Sequence, residues 1–318
     1  MRAFCRSRSF DAAWFPGITA QDINRYNVLE AAYLYEGAEA LLGAEAQRYM
    51  QRYKFYIEPA TDDRPFYFHF FRWTTLPEVF ALRRAGGAGL IEWGYLILAA
   101  TLMQALVAGL LLILLPLSRV EKEWPTGTGL PMGSYFLLLG LAFLFIEIAF
   151  IQKFILFLSH PLYSVAVVLS SFLVFAGLGS AWSDALSRKL AQGSFSPVTV
   201  VASAIGGLSI LYAVLLPYLF QRFIGAPDVL KIGITNLLIA PLAFAMGMPF
   251  PLGLKHLANA APKFIPWAWG INGFASVVSA VLATLLAIEF GFTAVILLAI
   301  ALYALAAFLM SRSTRSRA

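Results

Sequence analysis

Glu147 stands where a carboxylate is costly. It lies near the middle of an apolar run from Ser134 to Leu158, which at about 1.5 Å per residue exceeds the ~30 Å hydrocarbon thickness of a bilayer. A carboxylate at that depth costs several kcal/mol unless it is protonated, paired or hydrated. Gln152 and Lys153 follow within two turns, and Ser159-His160-Pro161 closes a hairpin into a second apolar run, Leu162 to Trp182. Glu147 and Lys153 are six residues apart, so on one helix they lie about 120° apart and about 9 Å along it. Good intrahelical pairs fall at three or four residues, so these two are poor partners. Lys153 is close enough to the end of the run to snorkel outward. Glu147 is not, and needs a proton or a partner, with Gln152 and Asn272 as the available polar side chains. Two readings stand side by side: a protonated packing acid, or a proton- or cation-responsive site facing a polar crevice.

The other clusters that could do chemistry are weaker. Asp62, Asp63 and His69 are metal-capable side chains, but their spacing matches no established metal signature. No metal site is expected. Residues 1–90 show neither a Gly-rich strand-to-helix turn nor a downstream acidic ribose-binding residue, so no cofactor and no catalytic residue can be named. The single cysteine, Cys5, excludes an internal disulfide.

These residues must be held by a membrane scaffold. The chain is 60% hydrophobic and only 13% charged, with mean hydropathy +0.76, whereas a soluble domain is nearer half apolar and a quarter charged. Seven spans are expected: Trp93–Leu117, Ser134–Leu158, Leu162–Trp182, Pro197–Phe220, Ile232–Phe250, Pro266–Ile288 and Phe292–Met310. Strands crossing a membrane would be shorter and alternating, so a barrel is excluded. On the sixth span Gly273, Ser276, Ala280, Ala283 and Ala287 recur at helical spacing, a small-residue stripe that lets backbones approach where lipid offers no hydrophobic drive. The fold class is therefore an all-α membrane protein of about seven helices (91–311), after a small soluble α+β segment (1–90) and before a basic tail (312–318).

In the soluble segment, Phe10 to Gly17 reads as a short strand closing on a Pro-Gly turn. Asp22 to Arg52 has helical spacing, and Phe66 to Trp73 (FYFHFFRW) reads as a buried strand or an aromatic patch at a membrane interface. Residues 1–90 carry eleven basic and ten acidic groups, and the rest twelve and seven, so all but one of the six excess positive charges lie in the part that holds the spans. There Lys and Arg set topology, which removes the argument for nucleic-acid binding. One side of the seven-span arrangement receives nine basic residues and the other six, including Lys153. That count predicts a cytoplasmic C-terminus with residues 1–90 outside.

Five stretches together resemble a family: Thr61-Asp62-Asp63-Arg64-Pro65-Phe66, Glu147 to Lys153, Leu156 to Tyr163 with His160, Gly247 to Pro251, and Pro266 to Gly273 with Asn272. They are similar to the C-terminal membrane half of large bacterial proteins in which a spermidine-synthase-like domain is fused to transporter-like helices. The resemblance implies a major-facilitator-like half in the bacterial inner membrane, with residues 1–75 corresponding to the tail of the synthase-like domain. Gly179 to Lys189, with Asp184 and Arg188, is similar to the cytoplasmic loop motif of major-facilitator transporters. The expectation is a transporter-like domain that moves a small solute or anchors a fused or associated synthase-like domain, with the lipid bilayer as its other partner. The alternatives are part of an aminopropyl- or methyltransferase, or a truncated remnant.

Overall fold

The computed structural model describes residues 2–19, 21–26, 28–78, 81, 93–119, 129–190 and 196–315. Seven helices are long and apolar enough to cross a bilayer, and the chain is a multi-pass membrane protein. Three short helices precede them, α1 (Arg2–Ser7), α2 (Tyr33–Leu42) and α3 (Ala46–Arg52). The membrane helices are α4 (Trp93–Gly109, continued through a π-helical turn to Leu117), α5 (Gly129–Leu158), α6 (Pro161–Leu190), α7 (Pro197–Phe223), α8 (Asp228–Met246), α9 (Pro249–Ala260), α10 (Ile265–Phe290) and α11 (Phe292–Arg315). Together, α8 and α9 make one span, Asp228–Ala260, broken at Gly247-Met248.

The chain divides into two compact units, one of residues 1–59 with 67–92, the other of residues 60–66 with 93–318. In the first unit α1, α2 and α3 bury none of their residues. No strand forms among the described residues, so the α+β expectation for this segment is corrected. A strand needs a ladder partner for its backbone groups, and residues 10–17 are held by local turns and side chains instead: the Phe10 N–H donates to the Cys5 carbonyl and the Phe15 carbonyl accepts from the Ile18 N–H. The Asp11 carboxylate accepts from the Arg25 and Tyr26 N–H groups, and the Arg2 guanidinium donates to the Gly17 carbonyl. In the run 66–73 the Phe70 carbonyl accepts from the Tyr56 N–H, without a ladder forming among the described residues. The helical spacing of 22–52 resolves into α2 and α3, interrupted at Gly43.

In the bundle, α5 is central and α4 peripheral: 61% of the α5 apolar window is buried, against 6% for α4. Helix α5 packs on α10, α11 and α6; α6 packs on α8, and α7 on α11 and α8. Proline starts α6, α7 and α9, where its missing N–H costs nothing, and the Ser196 hydroxyl caps α7 by accepting from the Thr199 N–H. Ser159, at φ 63°, turns the chain between α5 and α6. Helices α6 and α8 meet backbone on backbone. A Cβ added to Gly179 of α6 would run into the carbonyl of Phe244 in α8, and one added to Gly247 into the carbonyl of Ala176 in α6.

The small-residue stripe on α10 is rotated from its expected position. Ala283 and Ala287 are buried, but Gly273, Ser276 and Ala280 are only partly so, and Ala268, Ala275 and Ser279 are buried instead. Two interhelical hydrogen bonds set the rotation: Asn272 Nδ2 donates to the Phe136 carbonyl of α5 and Ser279 Oγ to that of Leu141. With lipid outside, such bonds choose among apolar faces that small residues alone leave equivalent.

Candidate functional site

The turn at residues 60–66 belongs to the membrane bundle, and one residue attaches it. Asp63 Oδ1 accepts from the Thr293 N–H at 2.9 Å and from the Thr293 hydroxyl at 2.6 Å. Its backbone carbonyl accepts from the Phe292 N–H. Asp63 thus caps the N-terminus of α11, where unpaired N–H groups and the helix dipole favour an anion. Gly291, at φ 88°, reverses the chain between α10 and α11, and the Asp63 carboxylate occupies the space a side chain there would need. Phe66 packs on Phe292 at 5.7 Å between ring centroids. Lys153, near the end of α5, reaches the same carboxylate at 3.5 Å.

Beside this attachment lies a cavity of about 300 Å³. Its rim carries Asp62, Lys153 and Gln221, and its wall Leu156, Tyr212, Ala213, Leu216, Pro217, Phe220 and Ile224. Pro217 lies inside α7 and has no N–H, so the Ala213 carbonyl one turn earlier loses its helical donor on the cavity side. The site is therefore an apolar slot with a cation, a carboxylate and an amide at its mouth. A second cavity, of about 240 Å³, opens at the opposite end of α7, where Ser196, Val198, Lys255, His256 and Asn259 contribute to its lining.

Glu147 lies deeper than the first cavity on the same helix as Lys153. It is 5% exposed, and its Oε1 has no hydrogen-bond partner. Asn272 is committed to Phe136 and Lys153 to Asp63. Gln152 is half-buried on α5. His160 is exposed in the α5–α6 turn, where its carbonyl accepts from the Ser164 N–H and hydroxyl, and its ring meets Tyr163 edge-on. Arg64 is half-buried within the turn, bonded through its backbone to Thr61. Asp184 and Arg188 sit in the last turns of α6 rather than in a loop, and Asp184 pairs with Lys255 of α9 at 2.7 Å. The structure therefore brings Asp62, Asp63 and Lys153 together and leaves His160, Asn272 and Asp184 at separate places. Among the described residues no group of three or more His, Cys, Asp or Glu could hold a metal ion.

Several polar groups inside the bundle have no signal in the sequence. Ser209 of α7 is 1% exposed, and its Oγ is also without a partner. Tyr212 lies on the same helix. Ser171 of α6 donates to Asn236 Oδ1 of α8 at 2.8 Å inside the membrane region. All are embedded in long apolar runs, where a single Ser, Tyr or Asn is indistinguishable from a packing residue until its neighbours are known.

Comparison with protein-family models, curated proteins and solved structures yields no match for this chain.

Proposed function

We propose that this multi-pass membrane protein is transporter-like and binds a small amphipathic solute between α5, α7 and the 60–66 turn. The observation that carries the reading is the cavity of about 300 Å³, at the lower end of the size of small-molecule sites, which are mostly apolar with a few placed polar groups. Asp62, Lys153 and Gln221 would orient the solute at the mouth, and the rings of Tyr212 and Phe220 would cover its apolar part. A bacterial inner-membrane location and a cytoplasmic C-terminus follow from the family resemblance and the charge count.

Thermal unfolding of the detergent-solubilised chain against a panel of amines, amino acids and carboxylates tests this. A binder at about 100 times its Kd stabilises by about 2.7 kcal/mol. Ala213→Trp, which fills the slot, is expected to abolish the shift. A panel without any shift, or a shift that survives the Trp, overturns the reading.

A second reading, in which the membrane domain anchors a synthase-like partner domain, is favoured by one observation. Helices α1 to α3 bury no residue of their own, so this unit has apolar surface to offer to another domain. Co-purification of a synthase-like protein through residues 1–90, lost on exchanging Leu34 and Leu41 for Ser, is the expected result.

A further inference from the structure

Tyr212 closes the inner end of the Lys153 cavity with Phe150 packed behind it, and one turn deeper on the same two helices are two buried oxygens without partners. Tyr212 lines the cavity, and its ring meets that of Phe150 at 6.1 Å. The ring pairs Phe150–Tyr212, Phe154–Phe220 and Phe157–Phe220 advance together along α5 and α7, so the two helices run parallel across this contact. Glu147 is three residues before Phe150 and Ser209 three residues before Tyr212. Both therefore lie about 4.5 Å beneath the two rings, at a common depth. Each has a side-chain oxygen with no hydrogen-bond partner among the protein atoms, and such buried atoms call for a proton, a water or an ion to satisfy them.

We propose that Glu147 is a proton-binding site that opens to the Lys153 cavity when the Phe150 and Tyr212 rings part, with the unpaired Ser209 hydroxyl at the same depth on α7, so that solute movement is proton-coupled. The coupling rests on the solute-binding reading above; the proton site does not. A bare alkali-metal cation is a poor occupant. Sites for such ions in transporters draw on unwound backbone carbonyls, whereas α5 and α7 run as helix through both positions. A single carboxylate can hold a proton but cannot replace an ion's hydration shell. The step is an acid–base exchange: the carboxylate takes a proton from cavity water and returns it, with only O–H bonds formed and broken. Titratable and charged groups on the surrounding elements are few. Helix α11 presents Tyr303, within electrostatic reach of Glu147, and α7 presents Tyr212. Lys153 on α5 is paired with Asp63, Glu289 on α10 accepts from the Tyr95 hydroxyl, and Asp184 on α6 is paired with Lys255. Lys231 on α8 lies over the Phe157 ring, beyond Phe150 and two turns further from Glu147.

Infrared difference spectroscopy of the full chain in phosphatidylcholine vesicles reads the carbonyl stretch of a protonated carboxylic acid directly. Stepping from roughly pH 5 to pH 9 should remove one such band, and transfer to D₂O should shift it. Glu147→Gln should lack that band while keeping the amide signature of the folded helices, and Tyr212→Ala should speed the D₂O shift about tenfold by opening the inner end of the cavity. A band that persists at alkaline pH and never exchanges marks a sealed packing acid and overturns the proposal, as does a titrating band that survives in Glu147→Gln. An exchange rate unchanged by Tyr212→Ala overturns the gate. None of these readouts needs a solute, so this proposal can fail while the thermal shift by solute stands, and the reverse.

Discussion

Replacing Asp63 by Ala removes at once the acceptor for the Thr293 N–H and hydroxyl and the partner of Lys153. Loss of a helix cap costs about 1–2 kcal/mol, and the partly exposed ion pair adds less than about 1 kcal/mol. Asp63→Ala is therefore expected to lower stability by about 1–2 kcal/mol in detergent unfolding. Asp63→Asn, which keeps an acceptor, should lose less, and Asp62→Ala, on the cavity rim, close to nothing. Equal effects at 62 and 63 would contradict the assignment of the cap to Asp63 alone. The depth of Glu147 was legible in the sequence, because one charge in a long apolar run needs no structure to be noticed. Its surroundings were not. Asn272 is a candidate partner by residue type, yet its amide bonds to Phe136, and Ser209 and Tyr212 become visible only when α5 and α7 are placed side by side.

Helix α6 crosses α8 so closely at Gly179 and Gly247 that neither position has room for a methyl group. Gly179→Ala or Gly247→Ala should force the two helices apart and cost about 1–3 kcal/mol, the range for overpacking a close contact. Gly177 and Gly207, also on membrane helices, have nothing within 4 Å of an added Cβ, and their replacement by Ala should be neutral or stabilising by up to about 1 kcal/mol. Steric-trap or denaturant unfolding of the four variants in one detergent separates the two classes. At this scale the spans themselves were readable, because hydropathy over about twenty residues reports burial in lipid directly. The face each span turns inward was not readable: α10 carries more than one row of small residues, and the bonds from Asn272 and Ser279 decide between them. The strand expected at 10–17 failed for a related reason, since a strand-like stretch closing on a Pro-Gly turn states a preference and only a neighbouring strand can satisfy it.

For the whole molecule, seven long apolar helices predict that alkaline carbonate leaves the protein in the membrane pellet, and release into the supernatant would contradict that. The nine-to-six distribution of basic residues predicts that an alkaline phosphatase fused after Ala318 is inactive, because the fusion stays in the cytoplasm. An active fusion would invert every loop. Isolated residues 1–90 are expected to show no cooperative thermal transition by circular dichroism, since α1 to α3 bury none of their residues and the buried His69, Phe71 and Thr75 are too few to offset the conformational entropy of a chain of that size. A sharp transition would contradict this.

The attachment of Asp63 to Thr293 spans 230 residues of sequence, and that separation has a consequence in time. At roughly 5–20 residues per second, a ribosome adds 230 residues in about 10–50 s. The turn at 60–66 must therefore wait, through the synthesis and insertion of every span, for the helix that it caps. Its docking is expected to be the closing event of biogenesis, and nascent chains arrested before Phe292 should leave it open to proteases that no longer cut once α11 has been made.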